Sequence, residues 1–261
     1  MRIKINLKSK AKDQVLPLNY NYEMASWIYN LIENGDYPFS MWLKSRGFNI
    51  KEQNHILYTF SQLKPKKFQI ESDRIKILSE KSYFVLSIQA GGNPIDFIGQ
   101  LLHQHEFSLG DKTSRALFSI DSFQTEPLPT FNNKMVFRTL SPIVLSKTCE
   151  KTGFVKYMNP LDDDYKDKIL DNVVGKFTHV LNAGYKKIKD YNEELSFSIV
   201  SEPRSKLITL ASGTGREVKV RGFMYDFALC GSPDLLSMIY NTGIGEKNNM
   251  GFGCLEIKNS P

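Results

Sequence analysis

Twice along the chain, an alternating apolar strand pattern gives way to a helical stripe and then returns, and this order limits the possible folds more than any other feature. Arg2 to Leu7 alternates with period two and sets Ile3, Ile5 and Leu7 on one side. Met24, Trp27, Ile28, Leu31 and Ile32 recur at three and four residues until Asn34-Gly35 ends the stripe, and a further helical turn is expected around Phe39 to Lys44. "HILYTFSQL", "KKFQIES", "DRIKILS" and "SYFVLSIQA" then read as strands, "IDFIGQLLHQH" as an amphipathic helix and "ALFSIDSF" as a strand. After "TEPLPTFNN", which reads as a linker, the order recurs. A strand spans "KMVFRTLSPIVL", a helix runs from about Leu161 to Tyr185, and strands follow in "LSFSIVS", "KLITLA" and "EVKVRGFMYDFAL". A short helix from Pro233 to Tyr240 and a final strand "GFGCLEIKN" complete it. Two successive β-α-β-β-α-β units predict an α+β chain of two tandem ferredoxin-like (split βαβ) domains, residues 1–125 and 134–261, joined by 126–133. No sequence repeat links the halves, so the duplication rests on element order.

The bulk properties suit two such cores. Of 261 residues, 41% are hydrophobic and 12% aromatic, enough to fill them. The N-terminus lacks the apolar run of a signal peptide and no later stretch is long enough to span a membrane, so a cytoplasmic protein with no membrane partner is expected. Cys149, Cys230 and Cys254 are far apart and odd in number, which fits reduced thiols. No Cys/His cluster has zinc spacing, and neither metal nor cofactor is expected.

The net charge of +6 is unevenly spread. Residues 44–76 carry eight Lys or Arg, among them Arg46, Lys64, Lys66 and Lys67, against three acids. Arg2, Lys4, Lys8, Lys10 and Lys12 stand at the N-terminus with no acid between them. Such clustering suits a polyanion, whose condensed counterions are released on binding, although a solvated basic face would carry the same charges.

Between the last helix and the last strand lies "GIGEKNNMGFG", with glycines at 243, 245, 251 and 253. So bare a backbone can press its amides against a phosphate or pack tightly on the neighbouring domain. Lys247 adds a charge; Asn248 and Asn249 suit either turn chemistry or RNA contact, and Phe252 reads as core.

This glycine-rich segment, together with "TLSPIVL" opening the second half and "WIYNLI" in the first helix, resembles the CRISPR repeat-RNA endoribonuclease family of the RAMP superfamily. The resemblance implies binding of a CRISPR repeat in precursor CRISPR RNA and one metal-independent cut that leaves a 5′-hydroxyl and a 2′,3′-cyclic phosphate. It also implies contact with RNA by Arg46, Lys64, Lys66, Lys67, Gly243, Gly245, Lys247, Asn248, Gly251 and Gly253. The same fold also builds non-catalytic repeat-binding homologues and backbone subunits of a CRISPR effector complex, a further expected partner.

Attack by the substrate's own 2′-hydroxyl needs a base, an acid, in-line geometry and positive charge near the phosphorane, while a metal is optional. Family members use a tyrosine on the first helix, a histidine one or two turns later, and a lysine. Tyr29 matches the tyrosine. The histidine position falls near Lys44 in "MWLKSRG", where no histidine stands, which leaves Lys44, Lys51 and His55 as the catalytic candidates beside Tyr29. His103 and His105 would point about 200° apart on a helix and cannot share a metal. His179 lies in a helical pattern without an acidic or thiol neighbour in sequence, and "DDDY" at 162–165 reads as a helix cap.

Overall fold

A computed structural model describes residues 1–33, 57–89, 106–149, 151–182 and 195–258. Its first half runs β1 (Arg2–Ser9), β2 (Gln14–Pro17), α1 (Asn21–Glu33), β3 (Tyr58–Phe60), β4 (Lys64–Pro65), β5 (Phe68–Glu71), β6 (Arg74–Ile77), β7 (Lys81–Ile88), β8 (Glu106–Gly110) and β9 (Arg115–Thr125). The second half continues with β10 (Lys134–Thr139), β11 (Ser146–Thr148), β12 (Val155–Tyr157), α2 (Tyr165–Asn182), β13 (Ser196–Ile199), β14 (Arg204–Leu210), β15 (Val218–Met224), β16 (Asp226–Cys230), α3 (Pro233–Thr242) and β17 (Leu255–Ile257).

Both halves use one strand plan. The first sheet has the order β3-β7-β1-β9-β8 and the second β13-β16-β10-β17, with every pairing antiparallel. In each, the first strand of the unit sits between the third and the fourth, with the second outside the third. This is the tandem ferredoxin-like fold that the element order predicts. Short hairpins decorate it: β14 with β15 and β11 with β12 in the second half, and a separate sheet of order β2-β6-β5 in the first.

The alternation in β1 works as expected, because Ile3, Ile5 and Leu7 are almost fully buried while Lys4 and Lys8 turn to the opposite face. Above them α1 lays down Met24, Ile28 and Leu31, and Trp27 stacks on Phe107 with ring centres 4.0 Å apart. In α2 the stripe is Tyr165, Ile169, Val173, Phe177 and Val180. Each such side chain contributes roughly 1.5–3 kcal/mol by leaving water. Ser232 caps α3 by accepting a bond from the Leu235 amide, and Pro233 follows at a helix start where a missing N–H costs nothing.

Three expectations are corrected. The strand expected through "KMVFRTLSPIVL" ends at Thr139, because Pro142 has no N–H for a ladder and Ile143 bridges to Phe223 instead. The strand expected over "EVKVRGFMYDFAL" divides at Tyr225 into β15 and β16, which belong to different sheets. The helix expected from Leu161 starts at Tyr165, since Asn159 and Asp162 close a turn through their side chains. The helical readings around Phe39–Lys44 and over "IDFIGQLLHQH" lie outside the described residues. Among those described, no helix is long and apolar enough to cross a membrane.

Buried side chains of the two halves form one contiguous cluster. The halves are also tied by polar bonds, from Ser87 Oγ to the Tyr240 carbonyl (3.2 Å) and from Thr59 Oγ1 to the Phe252 carbonyl (2.8 Å).

Candidate functional site

The glycine segment is a joint inside the protein. Gly243, Gly245, Gly251 and Gly253 are all buried with positive φ. Their four N–H groups are engaged by protein: Gly243 bonds the Ile239 carbonyl, Gly245 the Asn172 Oδ1, Gly251 the Asn248 carbonyl and Gly253 the Pro142 carbonyl. The expectation that these amides face a phosphate is corrected, since all four partners lie in the second half; the alternative, close packing on the neighbouring domain, describes Gly251 against Phe60 and Gly243 against Thr59, while Gly245 and Gly253 pack within their own half. A Cβ on Gly251 would lie 2.4 Å from the Phe60 ring of β3, and one on Gly253 1.9 Å from the Ile244 carbonyl oxygen. The "TLSPIVL" and glycine motifs meet here, because the Glu246 amide bonds the Val144 carbonyl at 2.8 Å.

Asn248 is also interior, at 3% exposure, and its amide bonds the Ile244 and Phe252 carbonyls at 3.1 and 3.0 Å. The expected RNA contact by Asn248 is thereby corrected to an internal turn clamp. Lys247 remains exposed, in left-handed backbone at the tip of the segment.

Beneath the clamp lies Lys176 of α2, which is 4% exposed. Its ammonium donates to the Gly243 carbonyl at 2.8 Å and to Asn248 Oδ1. Burial alone pushes its pKa down to about 7, as no described charge offsets the loss of water.

A second feature opens between the halves. It is a cleft of about 510 Å³ lined from the first half by Arg2, Lys4, Lys64 and Tyr83, from the connection by Glu126, and from the second half by Tyr240. Arg2 is 4% exposed; its Nε donates to Glu126 at 2.6 Å and its guanidinium carbon lies 4.4 Å from the Tyr240 ring centre. Its Nη1 is buried with no hydrogen-bond partner. Lys4 Nζ sits 4.4 Å from the Tyr83 ring centre. Arg2 and Tyr240 are interior, so the accessible lining is Lys4, Lys64 and the open part of Tyr83, which suits a ligand carrying both anionic groups and flat rings.

The other sequence candidates are dispersed. Tyr29 is half-buried on α1 and close enough to Tyr58, at the start of β3, to add to the upward push that burial gives the Tyr58 hydroxyl. Lys44, Arg46, Lys51 and His55 lie outside the described residues, as do His103 and His105. Lys64 lines the cleft from β4, and Lys66 and Lys67 are exposed on the following turn. His179 is half-buried on α2, and burial lowers its pKa. Sequence reasoning missed Arg2, Tyr83, Tyr240 and Lys176 as individuals. Only Lys176 left a local signal, as a lysine on the apolar stripe of its helix.

Known proteins resemble this chain in sequence and fold. Residues 15–116 match the family model for CRISPR-associated protein Cas6, N-terminal, and residues 125–257 that for CRISPR associated protein Cas6, C-terminal. The CRISPR-associated endoribonuclease Cas6 1 of Methanocaldococcus jannaschii is 26% identical over 253 residues, covering 97% of this chain and 91% of its own. A solved RAMP protein binding different RNA substrates matches with a TM-score of 0.80 at 21% identity, over 99% of this chain and 100% of its own. A Cas6-related protein from Pyrococcus furiosus matches at 0.79 and 23%, over 100% and 99%.

Proposed function

Because the chain belongs to the Cas6 family, we propose that it binds a CRISPR repeat in precursor RNA and cuts it once by attack of the substrate's own 2′-hydroxyl. The observation that carries this reading is the cleft between two halves that each match a Cas6 model, where Lys4 and Lys64 stand with Tyr83 while Glu126 is paired with Arg2. Single-stranded RNA brings the two chemistries that the accessible part of the cleft complements, phosphates for Lys4 and Lys64 and a base for the rim at Tyr83. Lys66 and Lys67, exposed on the turn after Lys64, extend its positive surface, and Arg46 and Lys247 are the further proposed RNA contacts.

In the reaction, a base takes the 2′-hydroxyl proton, the 2′-oxygen bonds to phosphorus, and the bond from phosphorus to the 5′-oxygen breaks. The departing oxygen takes a proton, leaving a 2′,3′-cyclic phosphate and a 5′-hydroxyl. The nucleophile is already attached to the substrate, so orientation supplies much of the rate and cations near the phosphorane supply more. Tyrosine and lysine, with reference pKa values of ~10 and ~10.4, are protonated near pH 7 and serve as donors and charge stabilisers, the roles assigned to Tyr29, Lys44 and Lys51. His55 is the competing proton carrier. The finished RNA is destined for a CRISPR effector complex.

Incubation of the protein with its repeat RNA in excess EDTA tests this. One cut is expected, and a 2′-deoxy residue immediately upstream of it should leave binding intact and stop the cut. Cleavage of the deoxy substrate, or strict need for magnesium, would refute transesterification; binding without any cut would identify a non-catalytic homologue. Lys64→Ala and Lys247→Ala should each weaken binding and lower the slope of log affinity against log salt by about 0.7–1, measured by filter binding at several salt concentrations.

A further inference from the structure

The proton chemistry assigned to Tyr29 requires its helix to be held still, and the contacts that hold it lead away from the cleft. Asn21, in the first turn of α1, donates from Nδ2 to the Met250 carbonyl at 3.1 Å. Thr59 of β3 donates to the Phe252 carbonyl at 2.8 Å. Both acceptors belong to the glycine segment of the other half. That segment is held in turn by Asn248, which binds the Ile244 and Phe252 carbonyls, and Asn248 Oδ1 accepts from Lys176. Asn172, one turn before Lys176 on α2, takes the Gly245 amide at 3.0 Å.

We propose that Lys176 is a positioning residue for the proposed cleavage site: acting through Asn248 and the glycine segment, it fixes α1, which carries Tyr29, and β3 in their working places. The proposal rests on the endoribonuclease reading for its kinetic consequence, though not for its structural one. Lys176 meets no substrate. It has two acceptors among the described residues, the Gly243 carbonyl and Asn248 Oδ1, and an amine supplies two N–H bonds whether or not it carries a third proton. The groups around it are neutral donors and acceptors of α2, α3 and the glycine segment, while Glu246 turns away to bond the Ser146 amide and hydroxyl and Lys247 points to solvent. Positioning therefore depends on Lys176 as a donor rather than as a charge.

A double-mutant cycle with a hydrogen-exchange arm decides the matter. Lys176→Met removes the donors, and Thr59→Val removes the last link while leaving the buried lysine and the Asn248 clamp in place. Each should slow single-turnover cleavage at saturating protein roughly tenfold, since small misplacements of reacting groups are costly, with repeat affinity kept within about threefold. The double variant should be no slower than either single one, because both break the same chain. Independent losses multiplying to about a hundredfold, or rates equal to wild type, would overturn the proposal. If Lys176→Met does not fold, Thr59→Val carries the kinetic test alone, and an unchanged rate overturns the proposal. If the wild type cuts no repeat RNA, the endoribonuclease reading fails, and amide exchange still decides the joint. Faster exchange in residues 57–60 of Lys176→Met, or of Thr59→Val if the former does not fold, with β10 unchanged supports it; exchange equal to wild type overturns it.

Discussion

Gly253→Ala is expected to destabilise the protein by about 3–5 kcal/mol, against about 1–2 kcal/mol for Gly153→Ala. Both glycines have positive φ, +69° and +66°, so a side chain is strained at either. Their surroundings differ. A Cβ at Gly153 would meet nothing within 4 Å, while at Gly253 it would lie 1.9 Å from the Ile244 carbonyl oxygen and 2.7 Å from Asn248 Nδ2. Neither neighbour can retreat cheaply, because the Ile244 oxygen also accepts from Asn248, whose Oδ1 is held by Lys176. The excess over Gly153→Ala, read from urea unfolding of both variants, measures the tightness of the joint. Gly251→Val should behave similarly, since its Cβ would enter the ring of Phe60. Equal losses at Gly153 and Gly253 would mean that the segment has slack and serves only as a turn.

This contrast shows why element order was legible while the meaning of the glycines was not. Period-two strands and the stripes of α1 and α2 follow from neighbours a few residues apart, so Ile3, Ile5, Leu7, Met24 and Ile28 could be assigned to the core from their spacing. A backbone bared to receive a phosphate and one bared to receive Phe60 have the same composition. Only the meeting of residues 60 and 251, remote in sequence, separates them. The cleft was hidden for a similar reason: Arg2 and Tyr240 come from opposite ends of the chain, and the sequence showed only that the N-terminus is basic. Short strands such as β2, β8, β11 and β12 carry too few residues for periodicity to reveal. Lys176 is the instructive miss. Ile169, Asn172, Val173, Lys176, Phe177 and Val180 follow helical spacing, so two polar residues stood on the inward stripe and marked a buried polar contact.

That buried lysine makes stability depend on pH in a direction opposite to that of a lysine held in an ion pair. In the unfolded chain Lys176 keeps its proton up to about pH 10.4, whereas in the fold burial pushes its pKa down to about 7. Between these values the unfolded state binds more protons than the folded one, so stability rises with pH. Below pH 7 both states are charged and the fold bears the full burial cost. From pH 6 to pH 9 the gain should be about 2–3 kcal/mol, growing to roughly 5 kcal/mol once the unfolded lysine also titrates. Lys176→Met cannot show it. The variant leaves the Gly243 carbonyl and Asn248 Oδ1 without their donor, at about 1–3 kcal/mol each, but that loss is the same at every pH. Subtracting its unfolding free energies from those of the wild type at pH 6, 7.5 and 9 therefore cancels the other titrating groups and isolates this one. Wild type should gain on the variant as the pH rises; two parallel curves would mean that Lys176 keeps its proton throughout and that water or a charge reaches it.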